Sequence, residues 1–164
     1  MHYLVARFAD GRVLKGTALG LDFPDGTFRM DVTSGQGHTG PAELRTGELK
    51  ALFGVKELDG DPKRVDKKAF IGPRPRGAAT VRFQDGEVMV GVIPDYEPGS
   101  EFFYIVPADA KSNNIWCYVS AAASEEVCFL QPGGSDVPGS GFPLIGGMVA
   151  LVLSLAGLAH VRRP

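Results

Sequence analysis

The sequence predicts a mainly β protein: two tandem five-stranded small β-barrels followed by a C-terminal apolar helix. Three observations carry this expectation. ARFADGRVLKG, from Ala6 to Gly16, returns as VRFQDGEVMVG, from Val81 to Gly91. The 22 Gly and 12 Pro in 164 residues, set among Val and Phe, favour short strands and turns over long helices. From Phe142 to Val161 the chain has no Asp, Glu, Lys or Arg.

Each copy of the repeat reads as a hairpin. Asp10-Gly11 and Asp85-Gly86 supply turns whose backbone can take positive φ, and alternating apolar residues flank them. Gly16 and Gly91, inside strand patterns, suggest the bulge or bend a small barrel needs to curl. A Pro turn follows in each copy, at Leu21–Asp25 and at Pro94–Gly99. A strand with Phe28, Met30 and Val32 then matches one with Phe102, Tyr104 and Val106. Two further apolar runs close each copy: near Ala42–Arg45 and Leu49–Val55, then Ile115–Ser120 and Val127–Leu130. TGE and AAASEE between them read as single-turn connectors. The expected organisation is a first barrel over 1–58, a basic Pro-containing linker over 59–77 and a second barrel over 78–131. A Gly/Pro/Ser linker over 132–141 and a transmembrane helix over 142–161 follow.

The DG-x-V-x-x-G core on a leading hairpin resembles Sm-like and SH3-like small barrels. VRFQDGEVMVG, FFYIVPAD and the SNN at Ser112–Asn114, with LKALFGVKELDGDP in the first copy, resemble an uncharacterised bacterial domain family of that look. The resemblance runs from Tyr3 to Leu130 and implies a fold and a bacterial setting, with no activity attached. RNA-binding Sm proteins carry an Asn in the third strand and an Arg-Gly before the last. Here those regions read EFFYIV and YVSAAAS. The R-x-x-x-R and D/N-x-S-x-x-G signatures of PilZ domains are also missing, so neither RNA nor a cyclic dinucleotide has a motif behind it.

The formal net charge of −2 argues against whole-protein attraction to nucleic acid or anionic lipid. His2, His38 and His160 are scattered, outside metal-ligand spacing, and Cys117 and Cys128 read as free thiols. No nucleophile elbow, P-loop or dinucleotide-binding Gly pattern is present. No catalytic residue, metal or cofactor is therefore nominated, and the expectation is a non-enzyme.

Three sets of residues stand out. Lys63, Arg64, Lys67, Lys68, Arg74 and Arg76 make the linker basic. They read as contacts for an anionic surface, or as a solvated spacer kept extended by Pro62, Pro73 and Pro75. Asn113, Asn114, Trp116 and Tyr118 read as a partner-binding patch if the aromatics face outward, or as a turn and core if they do not. Gly146, Ala150 and Ser154 lie four apart in the apolar tail. They offer a small-residue face for helix self-association, beside the plain reading that small residues are common in such spans.

An apolar helix over 142–161 would be roughly 30 Å long, about the thickness of a bilayer's hydrocarbon core. With no export signal at the N-terminus, it reads as a tail anchor. The barrels would then lie in the cytoplasm on a single-pass inner-membrane protein. The expected function is a membrane-tethered, non-enzymatic binding or scaffold module acting on an unknown protein partner. The alternative is an Sm-like nucleic-acid-binding protein.

Overall fold

A computed structural model describes residues 2–18, 20–22, 26–35, 37–134 and 152–154. The first five strands are β1 (His2–Phe8), β2 (Val13–Ala18), β3 (Thr27–Ser34), β4 (Gly40–Arg45) and β5 (Leu49–Val55). The next five are β6 (Ala78–Phe83), β7 (Val88–Val92), β8 (Phe102–Pro107), β9 (Asn114–Ser120) and β10 (Ser124–Phe129). Single 3-10 turns, Thr46–Glu48 and Ala121–Ala123, lead into β5 and β10. A short β11 (Val152–Ser154) pairs with β10.

All pairings are antiparallel, and they join every strand into one open sheet in the order β11-β10-β6-β7-β8-β9-β5-β1-β2-β3-β4. The two halves share one internal order, fifth-first-second-third-fourth. Their registers also agree. Gly16 faces Val32 and Gly91 faces Pro107; Met30 faces Ala42 and Ile105 faces Cys117. Phe8 opposite Leu49 and Phe83 opposite Ser124 open equivalent bulges, which leave Lys50 and Glu125 as the extra residues.

The expectation of two barrels is corrected by the junction between the halves. β9, the fourth strand of the second half, pairs with β5, the fifth of the first, from Ala51–Val119 to Val55–Asn114. A unit of this size buries only a marginal core, and a free strand edge leaves N–H and C=O groups unpaired. Joining the halves edge to edge answers both. β5 is consequently buried along its whole length. Its Leu52 joins Leu4, Phe28, Val32 and Leu44 in the first core, while Ala51, Phe53 and Val55 join Val81, Phe83, Ile105 and Cys117 in the second. Alternate residues of a strand point to opposite faces, so the two cores lie on opposite faces of the sheet.

Two further expectations change. β8 buries Phe103 and Ile105, and leaves Phe102 and Tyr104 on its outer face. The C-terminal apolar helix is not found: Val152–Ser154, within the expected span, is a strand. Among the described residues no helix is long and apolar enough to cross a membrane. A sheet edge explains the difference for these three residues, because β10 offers them backbone partners at Glu126, Val127 and Cys128. Residues 142–151 and 155–161, with Gly146 and Ala150, lie outside the described residues.

Candidate functional site: a strapped groove between the halves

Because the first core lies on one face of β5-β1-β2, the other face of these strands is left for the second half to cover. β7 covers it only in part. The remainder is a groove of about 500 Å³, within the size range of ligand sites. One wall is the outer face of β1, β2 and β5, with Val5, Val13, Phe53 and Val55. The other is β7, with Val88, Met89 and Val90. The segment from Leu58 to Lys68 passes over it as a strap.

The strap is tied down at both ends. Asn113 donates through Nδ2 to the Glu57 carbonyl at 2.8 Å and accepts from the Glu57 N–H at 3.1 Å. At the other end the buried Asp109 carboxylate accepts from Arg64 Nη2 at 2.7 Å and from the N–H groups of Lys67 and Lys111 at 3.0 and 2.9 Å. Those two N–H groups, with the Arg64 guanidinium, hold the Asp109 carboxyl below its ordinary range. The Ser112 hydroxyl donates to Asp66 at 2.5 Å. Three acceptor bonds on one buried carboxylate are a strong local anchor.

The groove's rim carries both signs of charge. Arg7, Lys15, Arg64, Lys67 and Lys68 face Asp59, Asp61, Asp66, Glu87 and Asp109 around an apolar floor. Arg7 reaches Glu87 at 3.3 Å and lies 5.4 Å from the Phe53 ring centroid. Such a lining suits an extended segment with apolar and charged side chains better than a polyanion. Among the described residues no cluster of three or more His, Cys, Asp or Glu could hold a metal ion.

The residues singled out in the sequence divide between places. Arg64, Lys67 and Lys68 line the groove. Lys63 is on the strap, with its N–H on Asp61. Arg74 is bonded through its backbone to Gly133 and Gly134, and Arg76 is exposed, so these two do not join that rim. Asn113 and Asn114 line the groove, but Trp116 and Tyr118 lie on the opposite face of β9. There Trp116 packs against the first core beside Gly54, where a Cβ would collide with the indole. Trp116 stacks with Tyr104 at 6.1 Å, and Tyr118 with Phe102 at 4.9 Å and 7°. Both are half-buried. Ser154 lies in β11.

Sequence reasoning missed the floor of the groove. The signal was available in LVARF and LKALFGV, which are apolar at both parities and so have two faces to cover.

The fold and the groove define a small, mainly β module with a strapped cleft. The chain belongs to DUF6982, described as a family of unknown function, whose profile matches residues 1–131. No curated protein and no solved structure matches the chain.

Proposed function

We propose that the chain is a non-enzymatic binding or scaffold module acting through protein–protein contacts, and that the strapped groove receives an extended segment of its partner. The groove carries this reading: an apolar floor left open beside an intact core, rimmed by both charges. We read the halves as two copies of one Sm-like or SH3-like plan, supported by registers that recur 75 positions apart. Nucleic acid has less support, because Trp116 and Tyr118 are engaged in packing and the rim holds as many carboxylates as cations.

The test is selection of displayed random peptides on the full chain, with binding measured again on Val13→Trp and Val88→Trp, which fill the groove from opposite walls. Peptides that bind the parent and lose at least about tenfold on both variants, roughly 1.4 kcal/mol, support the proposal. Peptides indifferent to both, or salt-sensitive binding of single-stranded RNA with no peptide binding, refute it.

A further inference from the structure

We infer that the segment received by the strapped groove is acidic and alternating: apolar side chains on the floor, and Asp or Glu between them meeting Lys67 and Lys68 on the strap. This deepens the reading of the groove as a site for a partner's extended segment, and rests on it. It starts from which rim charges are already paired inside the chain.

The rim carries as many cations as carboxylates, but the carboxylates are mostly taken. Asp109, its side chain only 4% exposed, and Asp66 share Arg64 at 2.7 and 3.0 Å. Glu87 holds Arg7 at 3.3 Å and Lys50 at 2.5 Å. Asp59 lies 3.6 Å from Lys15. Asp61 accepts the Lys63 N–H at 2.9 Å. Lys67 and Lys68 are exposed and line the groove, and among the described residues neither ammonium has an ion-pair partner. The Lys67 N–H is meanwhile fixed on Asp109 at 3.0 Å. The strap thus holds the backbone that carries these two cations and leaves both charges unmatched.

A basic segment fits poorly. It would meet Lys67 and Lys68, and to gain the Asp109 or Asp66 carboxylate it would have to displace Arg64 and so untie the strap. A carboxylate, in contrast, has two unmatched ammoniums to meet. It can also replace Asp59 on Lys15, because that pair is the longest on the rim and Asp59 is fully exposed. The alternation follows from the layout. A segment in the groove lies between the apolar floor of Val5, Val13, Phe53 and Val55 and the strap that passes over it. Successive side chains of an extended chain point to opposite sides, so one parity meets the floor and the other the strap.

The test uses two displayed peptide libraries with Val, Ile or Leu at alternate positions. The positions between draw on Asp, Glu, Ser and Thr in one library, and on Lys, Arg, Ser and Thr in the other. Both are selected on the full chain. Fluorescent copies of the selected peptides are then titrated by anisotropy against the parent, Lys67→Gln/Lys68→Gln, Lys67→Glu/Lys68→Glu and Val13→Trp. The tie from residue 67 to Asp109 is through the backbone, so it does not depend on the lysine side chain. The expected result is acidic peptides that weaken roughly threefold on the Gln pair and roughly tenfold on the Glu pair, and that weaken further as salt is raised. Basic peptides should bind the parent less tightly than acidic ones and gain on the Glu pair. Basic peptides as tight as acidic ones on the parent, or acidic peptides indifferent to the Glu pair, overturn the inference; if those peptides are still lost on Val13→Trp, the groove reading stands without it. If no peptide from either library is lost on Val13→Trp, the groove reading fails and this inference with it.

Discussion

Lys50 offers the sharpest test of how the two halves are held together. It is 8% exposed, with its ammonium 2.6 Å from Asp85 Oδ2 and 2.5 Å from Glu87 Oε2, and 4.4 Å from the Phe83 ring centroid. A buried ammonium is costly to desolvate, and removing its counter-charges strands it at about 3–5 kcal/mol. The carboxylates are only half-withdrawn from water, at 58% and 38% side-chain exposure, so solvent can replace part of what they supply. Asp85→Asn with Glu87→Gln should therefore cost about 2–3 kcal/mol, below that range. Lys50→Met leaves two carboxylates that can rehydrate, and should cost less than about 1 kcal/mol. The triple variant should lie within about 1 kcal/mol of the parent, since an apolar side chain then fills an apolar place. Urea unfolding followed by the single tryptophan, Trp116, reads all three. If removing both carboxylates costs no more than Lys50→Met, the ammonium is solvated and the reasoning fails. The pH limb has a definite sign. Asp85 is held below its ordinary 3.8, first by the hydrogen bond from Lys50. Its contribution is present above 3.8 and lost as pH falls through the depressed folded value, so Lys50→Met should flatten the acid limb.

Gly91→Ala should lower stability by about 2–3 kcal/mol in thermal unfolding, because its Cβ would overlap the Val106 carbonyl oxygen, which is backbone and cannot turn aside. Gly54→Ala meets the Trp116 indole instead, so a smaller loss should come with a shift in tryptophan emission. Burial pushes the Cys117 thiol far up, whereas Cys128 is half-buried and less raised. An aromatic disulfide reagent should titrate one thiol slowly in the folded chain and two after unfolding. Asp109→Ala releases Arg64 and the Lys67 N–H, and should speed tryptic cleavage between Lys63 and Lys68 with little change elsewhere.

The strands were legible because their signals are local. Asp10-Gly11 and Asp85-Gly86 mark hairpins, and positive φ at Gly11 and Gly86 is what those turns use. Phe8 opposite Leu49 and Phe83 opposite Ser124 sit at matching bulges in the two halves of the sheet. The joining of the halves was not legible, since nothing local to β9 says that its neighbour is β5, in the other half of the chain. Faces were legible where neighbours alternate cleanly, as at Phe28, Met30 and Val32, and failed in EFFYIV, where both parities are apolar. The linker's charges were visible, but not that Asp109 and Asn113, over 40 positions away, hold it down.

The groove follows from the same arrangement that joins the halves. With the first core on one face of the sheet and the second on the other, the outer face of β1 and β2 becomes an inner surface as the second half curls over it. Val5 packs against the second core, yet Val13 and Lys15, one strand further out, lie beyond what β7 covers. A valine there is wasted in water and useful under a partner, and the strap limits approach to one side. Val13→Ser should therefore leave stability within about 0.5 kcal/mol, as for a surface substitution, while weakening any ligand that uses the floor. A loss of stability equal to the loss of binding would mean that Val13 belongs to the core and that the groove is an incompletely closed seam.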